Sequence, residues 1–585
     1  MTIQFAPAQT DFYKWAHPHL MLDGITEMYG NFTSRHGKLS NIKGNNEVTF
    51  VGLQYFIKDV LIREWNETFF SQPKKDVIAE VKLIARSALG VTDYDTAHLE
   101  ALHDLGYMPV SIKALPEGVS VPYGVAPVTF VNTVEGFGWL EGFLETSFSC
   151  ENFPIQTSAT TARAYLKRTI EAFDAAGLPH DLVPFMCHDF SFRGMFGRHA
   201  AAMSGFGHLT AFAGTDTIPS ILFAKKYYGA DLNSELVGAS VNATEHSITT
   251  SAIAAFMEED SSLSKLEAEV KYVEYLMEQA PTGILSHVSD SFDFWEFVSK
   301  GLPMLKDKIL SRDGKLVIRP DSGDPVDVLC GKNSNYHSLL EDPDTFEQWK
   351  SWVAETVDEY FRENLDAVNP HYSETYTFKG KYGVYKVTYE PDLNRHDKTY
   401  YYVDNWDSTV DNCTFVKVEE TFEDKGLIEC LGDLFGTTES PTGLKLLHDN
   451  IGAIYGDSIT LERQDQIISR LEAKGYAGLV VLGIGSYSYQ YITRDTHGSA
   501  VKSTFAVRDG VEFDVCKDPA TDKKKKSAKG LLRIELENGE YVQYDQQTRE
   551  QEQQGELREV FRDGKLLIET TLEEIRQNVR NSLLN

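Results

Sequence analysis

The chain has 585 residues, 42% hydrophobic and 24% charged, the balance of a folded globular protein with ample core material. Its formal net charge of −31, from 56 basic and 87 acidic residues, argues against a nucleic-acid or anionic-membrane partner. A few Arg and Lys gathered in a cleft can still hold a phosphorylated substrate, because salt screens a distant acidic surface over about 10 Å.

The six cysteines are scattered without metal-type pairing, so they read as free thiols. The opening residues predict no leader peptide, and no apolar run is long enough to span a bilayer, so a cytoplasmic location is expected.

Up to about residue 150 the pattern mixes helix and strand. Asp11 stands where it could cap a helix opening at Phe12-Tyr13-Lys14. Glu27–Phe32 and Val48–Tyr55 read as strands. Val110–Leu115 and Val119–Pro122, flanking the turn signal Pro116-Glu117-Gly118, read as a hairpin. Trp139–Ser149 reads as a helix leading into the next domain.

From 155 to 497 helices alternate with short apolar strands, the rhythm of a parallel α/β sheet. The predicted elements are a helix over Ala159–Ala176, a strand Leu209–Ala213 before the helix Ile218–Tyr228, and an amphipathic helix opened by a Ser264/Glu267 capping box. Further strands are predicted at Gly283–Val288, Lys315–Ile318, Asn450–Tyr455 and Gly478–Leu482.

Six strand tips carry polar or glycine-rich endings, which is how α/β barrels present chemical groups. The richest is Arg319-Pro320-Asp321-Ser322-Gly323, with Arg suited to phosphate or a planar ring and Asp to a metal or sugar hydroxyls. An ion pair on a surface turn is the competing reading of that stretch.

The rhythm breaks over 333–422, where a helix at Phe346–Phe361 and aromatic alternating segments predict a small antiparallel β module inserted in a barrel loop. After about 500 the chain is strand-rich again, with a lysine run at Lys523–Lys526 and a last helix capped by Thr571 and Glu574. The expected organisation is a discontinuous mixed α/β domain (1–154 with 498–585), a barrel domain (155–497) and the insertion (333–422).

The motifs Thr10–Lys14, His188–Gly194, Gly214–Thr217, Glu245-His246-Ser247, Val288–Ser291, Ile318–Gly323, Thr493-Arg494-Asp495, Lys517-Asp518-Pro519 and Phe561–Lys565 stand in one order. In that order the chain resembles the nicotinamide phosphoribosyltransferases, which are type II phosphoribosyltransferases.

The resemblance implies an α/β barrel fold and the joining of nicotinamide to 5-phosphoribosyl 1-pyrophosphate. It implies Mg²⁺ at the pyrophosphate, stimulation by ATP, and a homodimer with a shared active site. Phe190 and a partner's Tyr13 would sandwich the pyridine ring. Arg193 and Arg319 would lie near the ring and phosphates, and Asp216 would bind the carboxamide. His246 would be phosphorylated by ATP. Asp321, with Asp290 as a weaker candidate, would sit at the ribose and metal. Gly456, Asp457, Gly485, Ser486 and Arg494 would form the ribose and 5′-phosphate cradle. Asp11, Ser240, Val241, Ser286 and Lys502 complete the implied substrate-binding set.

Two departures stand out: the cradle reads Gly483-Ile484-Gly485-Ser486-Tyr487, with the bulk of Tyr487 in it, and Asn242 occupies a position where Pro is usual. The alternatives left open are a nicotinate phosphoribosyltransferase and a non-catalytic binding protein on the same scaffold.

Overall fold

The computed structural model describes residues 4–332, 335–336, 344–363, 374–380, 382–390, 393–396, 399–402, 410–456, 458–517 and 527–584. The described chain forms two compact units. One holds 1–167, 187–239 and 484–585; the other holds 168–186 and 240–483.

The first unit is built on a seven-stranded sheet that joins the two ends of the chain. Ile25–Thr33 pairs antiparallel with Ala500–Arg508 on one side and Val128–Asn132 on the other, and Val110–Ala114 lies between Val128–Asn132 and Arg558–Arg562. Against this sheet lies an aromatic core. The rings of Phe32, Phe56 and Phe130 each meet Phe148 edge-on at 5.0–5.1 Å, a favourable arrangement of ring quadrupoles.

The expected hairpin is absent. Val110–Ala114 pairs with Val128–Asn132, and Ser120–Pro122 pairs instead with Glu47–Thr49. The turn between them is committed elsewhere. Gly118 N donates to Phe50 O, and the buried Glu117 carboxylate accepts from Gly52 N and Gln54 N, where the helical segment from Leu53 starts. That helix also shortens the expected strand Val48–Tyr55 to Glu47–Thr49.

Three other expectations change. Trp139–Ala176 is one helix of 38 residues with Pro154 inside it, rather than two helices. Leu209–Ala213 is not a strand: Leu209 ends the helix Arg198–Leu209, and Ala211 N and Phe212 N donate back to His208 O. A five-residue apolar run cannot by itself separate a helix end from a strand. Segment 187–239, expected with the barrel, packs in the unit that holds the termini; there the half-buried Arg576 guanidinium donates to Leu209 O and Val237 O.

The second unit carries a parallel sheet. Asn242–Ala243, Thr282–Val288, Asp313–Arg319, Ile451–Tyr455 and Val481–Ile484 pair in that order. The Ser264/Glu267 capping box is formed, on a helix running Lys265–Gln279.

The insertion has its own core. Gly383–Tyr389 pairs antiparallel with Glu374–Gly380 and Cys413–Val418, and Trp349, Val353 and Val357 of the helix Phe346–Glu363 pack with Phe378, Val387 and Tyr389. The lysine run Lys523–Lys526 and the pair Asp518-Pro519 lie outside the described residues. Among the described residues no helix is long and apolar enough to cross a membrane.

Candidate active site

In the first unit the site is organised by the short strand Cys187–Asp189. Side chains alternate along extended backbone, so His188 and Phe190 share one side and Asp189 takes the other. Asp189 is fully buried and accepts from Ser191 N. Below it lies buried His208, bonded to Tyr489 Oη and Gly214 O; burial lowers its pKa to about 4, so it is neutral there. The His188 and Phe190 rings lie 4.6 Å apart.

Asp216 is brought to the same side by its backbone: Asp216 N donates to Asp189 O, and Thr215 bridges Asp189 in parallel register. Its carboxylate accepts from His188 Nε2 at 2.9 Å. Asp216 is not a helix cap, since the N-cap of Ile218–Tyr228 is Thr217, which makes no side-chain capping bond.

Arg193 is exposed on the turn Phe192–Gly194. A side chain at Gly194 would meet Ser486 Oγ at 2.0 Å, so this approach requires glycine. Gly485 caps the short helix Ser486–Gln490. Tyr487 turns outward and stacks on Tyr491 at 5.4 Å, so its bulk does not fill the turn. Arg494 is half exposed and pairs with Asp495.

Tyr13 and Lys502 line one cleft of about 370 Å³, with His17, Trp139 and Glu145. Tyr13 is 61% exposed, available to something outside its own fold. Asp11 occupies a cap position without capping; its carboxylate accepts from Thr146 Oγ1 instead.

In the second unit the polar groups are more tightly joined. Ser240 and Val241 lead into Asn242–Ala243, which pairs with Leu285 and Ser286, so Asn242 sits in regular strand pairing. The loop is held further by Thr244 N donating to Ser286 O and Val288 N donating to Thr244 Oγ1. Ser286 Oγ is buried with no hydrogen-bond partner among the described residues. His246 is the first residue of the helix His246–Glu259, and its Nε2 lies 3.0 Å from Asp290 Oδ1.

Asp290 is the junction: its other oxygen accepts from Ser322 Oγ at 2.6 Å and Asp321 N at 3.1 Å. Arg319 Nη2 stands 3.8 Å from Asp321 Oδ1, a loose contact that leaves the carboxylate partly exposed. Asp324, three residues on, is a helix cap, accepting from Val326 N and Asp327 N. Gly456 packs so closely that a side chain there would lie 1.8 Å from Asp321 Oδ1. Asp457 lies outside the described residues.

Two groups of this site carried little sequence signal. His188 could have been found from its i, i+2 relation to Phe190. Asp290 stood at a strand tip, but nothing in the sequence showed it between His246 and Ser322.

Each unit thus gathers chemistry-bearing side chains at its strand tips, Phe190, His188 and Asp216 in the first and His246, Asp290, Arg319 and Asp321 in the second. The chain belongs to the nicotinate phosphoribosyltransferase (NAPRTase) family, whose model matches residues 185–383 and 408–565, and so is an enzyme of the pentosyl-transferring class. Its fold is therefore the α/β type II phosphoribosyltransferase fold, with a mixed α/β unit built from both termini.

A protein of Acinetobacter baylyi named nicotinamide phosphoribosyltransferase is 37% identical over 583 residues, covering 98% of this chain and 96% of its own. Proteins with the same name from Mycoplasma pneumoniae and Xanthomonas campestris pv. campestris are 26% and 25% identical, covering 89% and 97% of this chain and 93% and 96% of their own.

Proposed function

We propose that this enzyme joins nicotinamide to 5-phosphoribosyl 1-pyrophosphate, giving nicotinamide mononucleotide and pyrophosphate. The observation that carries this reading is the carboxylate of Asp216 bonded to His188, whose ring packs against Phe190. An ionised carboxylate only accepts hydrogen bonds, so it suits an amide N–H₂ and opposes a second carboxylate. The names of the relatives agree with it.

The pyridine nitrogen attacks ribose C1 as the C1–O bond to pyrophosphate breaks, and the bonding pair leaves with pyrophosphate. The ring nitrogen carries no proton, so no general base is needed. Rate comes from alignment, exclusion of water and charge stabilisation. Phe190 positions the ring, with Tyr13 of a second copy as the opposing aromatic in a homodimer. Arg319 and Arg193 hold phosphate charge. Gly485, Ser486, Arg494 and Gly456 form the cradle for the ribose 5′-phosphate. Asp321 fixes the ribose.

Mg²⁺ would fit here only with most of its ligands supplied by the substrate and water. Among the described residues no three His, Cys, Asp or Glu side chains form a metal set. Asp321, backed by Asp290, offers one carboxylate beside pyrophosphate oxygens and water, the mode this ion favours. Bound there, it supplies charge neutralisation for the departing pyrophosphate.

ATP acts through His246. Pairing with a carboxylate puts the proton on Nε2 and leaves the Nδ1 lone pair to take a phosphoryl group. The start of a 14-residue helix favours the resulting negative charge.

The test is mass-spectrometric product detection with nicotinamide and nicotinate offered together, with and without ATP. Nicotinamide mononucleotide is expected as the main product, in larger yield with ATP. Formation of nicotinate mononucleotide alone would assign the other pyridine.

A further inference from the structure

From Val241 to Ile248 every residue is exposed except Thr244. That one buried side chain fastens the segment that delivers His246. The strand before it, Asn242–Ala243, has two residues, so ladder pairing alone gives a short hold. Thr244 adds contacts to the neighbouring strand Thr282–Val288. Its N–H donates to Ser286 O at 3.0 Å, its Oγ1 accepts from Val288 N at 2.9 Å, and the same hydroxyl lies 3.4 Å from His287 Nδ1.

Behind Thr244 the polar contacts run inward. Side chains alternate along a strand, so His287 takes the side opposite Ser286 and Val288 and meets the helix Lys265–Gln279. Its ring is fully buried, 6.1 Å from Tyr272 and 5.6 Å from Phe297, and its Nε2 lies 3.2 Å from Glu269 Oε1. Glu269 is 3% exposed, a carboxylate on the buried helix face that also holds Tyr272, Val273 and Met277. A buried carboxylate is costly unless it is paired. When ionised it only accepts, so Nε2 carries the His287 proton and Nδ1 is an acceptor. Thr244 then gives its hydroxyl proton to Nδ1 while its oxygen accepts from Val288 N.

The strand that holds Thr244 also leads to the partner of His246. Asp290, two residues past Val288, has Oδ1 3.0 Å from His246 Nε2, and His246 is two residues past Thr244. The bond from Val288 N to Thr244 Oγ1 therefore sets the register of the histidine against its carboxylate.

We propose that Thr244, His287 and Glu269 are positioning residues for phosphoryl transfer to His246. Glu269 fixes the tautomer of His287, His287 orients the Thr244 hydroxyl, and Thr244 holds the start of the helix His246–Glu259 beside Asp290. The inference rests on the reading of His246 given above. In that step His246 Nδ1 bonds to the γ-phosphorus of ATP as the bond to the β–γ bridging oxygen breaks, and the electron pair leaves with ADP. Such an attack tolerates little misplacement of the nucleophile.

The experiment measures the rate of phosphoenzyme formation from ATP labelled in its γ-phosphate, and nicotinamide transfer without ATP. It compares wild type, His246→Ala, Thr244→Val, Thr244→Ser and the double variant Glu269→Leu with His287→Leu. Val keeps the shape of Thr without the hydroxyl, and Ser keeps the hydroxyl. The double variant removes the inner half of the relay without stranding a buried charge. Phosphorylation should slow at least about tenfold in Thr244→Val and at least about threefold in the double variant. Thr244→Ser should stay within about threefold of wild type, and so should ATP-free transfer in all three.

A folded Thr244→Val enzyme or double variant that is phosphorylated at the wild-type rate overturns the proposal. So does an equal fall in phosphorylation and ATP-free transfer, the mark of a merely structural network. Should Thr244→Val fail to fold, the double variant decides. If wild type takes no phosphate, or His246→Ala takes as much as wild type, the reading of His246 has failed and the role of the relay with it. Phosphate on wild type, none on His246→Ala and wild-type rates in Thr244→Val reject the relay alone.

Discussion

At the tip of Cys187–Asp189, Asp216 is nearly half exposed and is bonded to a neighbouring imidazole. At the tips of Thr282–Val288 and Asp313–Arg319, Asp290 is 3% exposed and spans a histidine, a serine hydroxyl and a backbone N–H. The first arrangement suits a choice between two similar rings, where one adjustable acceptor decides. The second suits transition-state charge, where donors and acceptors must be in place before the bond breaks. Substitutions in the two regions should therefore fail differently: the charge-bearing tips in rate, the ring-bearing tip in selectivity.

Arg319→Ala should show the largest effect, a fall in kcat of about 10²–10³ on either pyridine. Stopped-flow or steady-state rates check this, and an effect confined to one pyridine would erase the contrast between the regions. Tyr13→Ala should also be inactive, and mixing the two inactive proteins under subunit exchange should restore turnover, as a site shared within a homodimer requires. A fully active monomer would contradict that arrangement.

His246→Ala should lose all ATP stimulation while keeping ATP-independent transfer. Base-stable, acid-labile phosphate should appear on wild type and be missing from the variant. Asp290→Asn should weaken the same stimulation, because His246 then loses its carboxylate partner.

The insertion sharpens the comparison from a third side. It has a private core around Trp349 and Val387. Replacing 333–422 by a Gly/Ser linker should leave turnover detectable. Loss of all activity in a folded dimer would mean that the module completes the site. Smallest of all, Ser264→Ala removes a cap remote from the strand tips and should lower stability by about 1 kcal/mol with kcat/KM unchanged. Thermal unfolding measures it.

The strand tips were legible because parallel strands announce themselves as apolar runs ended by chemistry-bearing residues. Arg319 and Asp321 were singled out that way, whereas His246 entered only through the family resemblance. The Ser264 and Thr571 capping boxes were legible for the same local reason. What stayed hidden was non-local. Glu117 looked like part of a hairpin turn, yet its carboxylate serves Gly52 and Gln54 more than sixty residues away in sequence. Leu209–Ala213 had strand composition, but His208 turns that segment back on its own helix. Asp216 looked equally like a helix cap and a ligand group. The structure removes the first reading, because Thr217 holds the N-cap position.

The most direct test of the account is the ratio of kcat/KM for nicotinamide over nicotinate in wild type and Asp216→Asn. The Asn side chain keeps the shape and removes the charge that opposes nicotinate. The account predicts a wild-type ratio well above one and a drop of at least about tenfold in the variant, or about 1.4 kcal/mol of lost discrimination. A ratio that stays within twofold of wild type, in a folded and active Asp216→Asn enzyme, would contradict it.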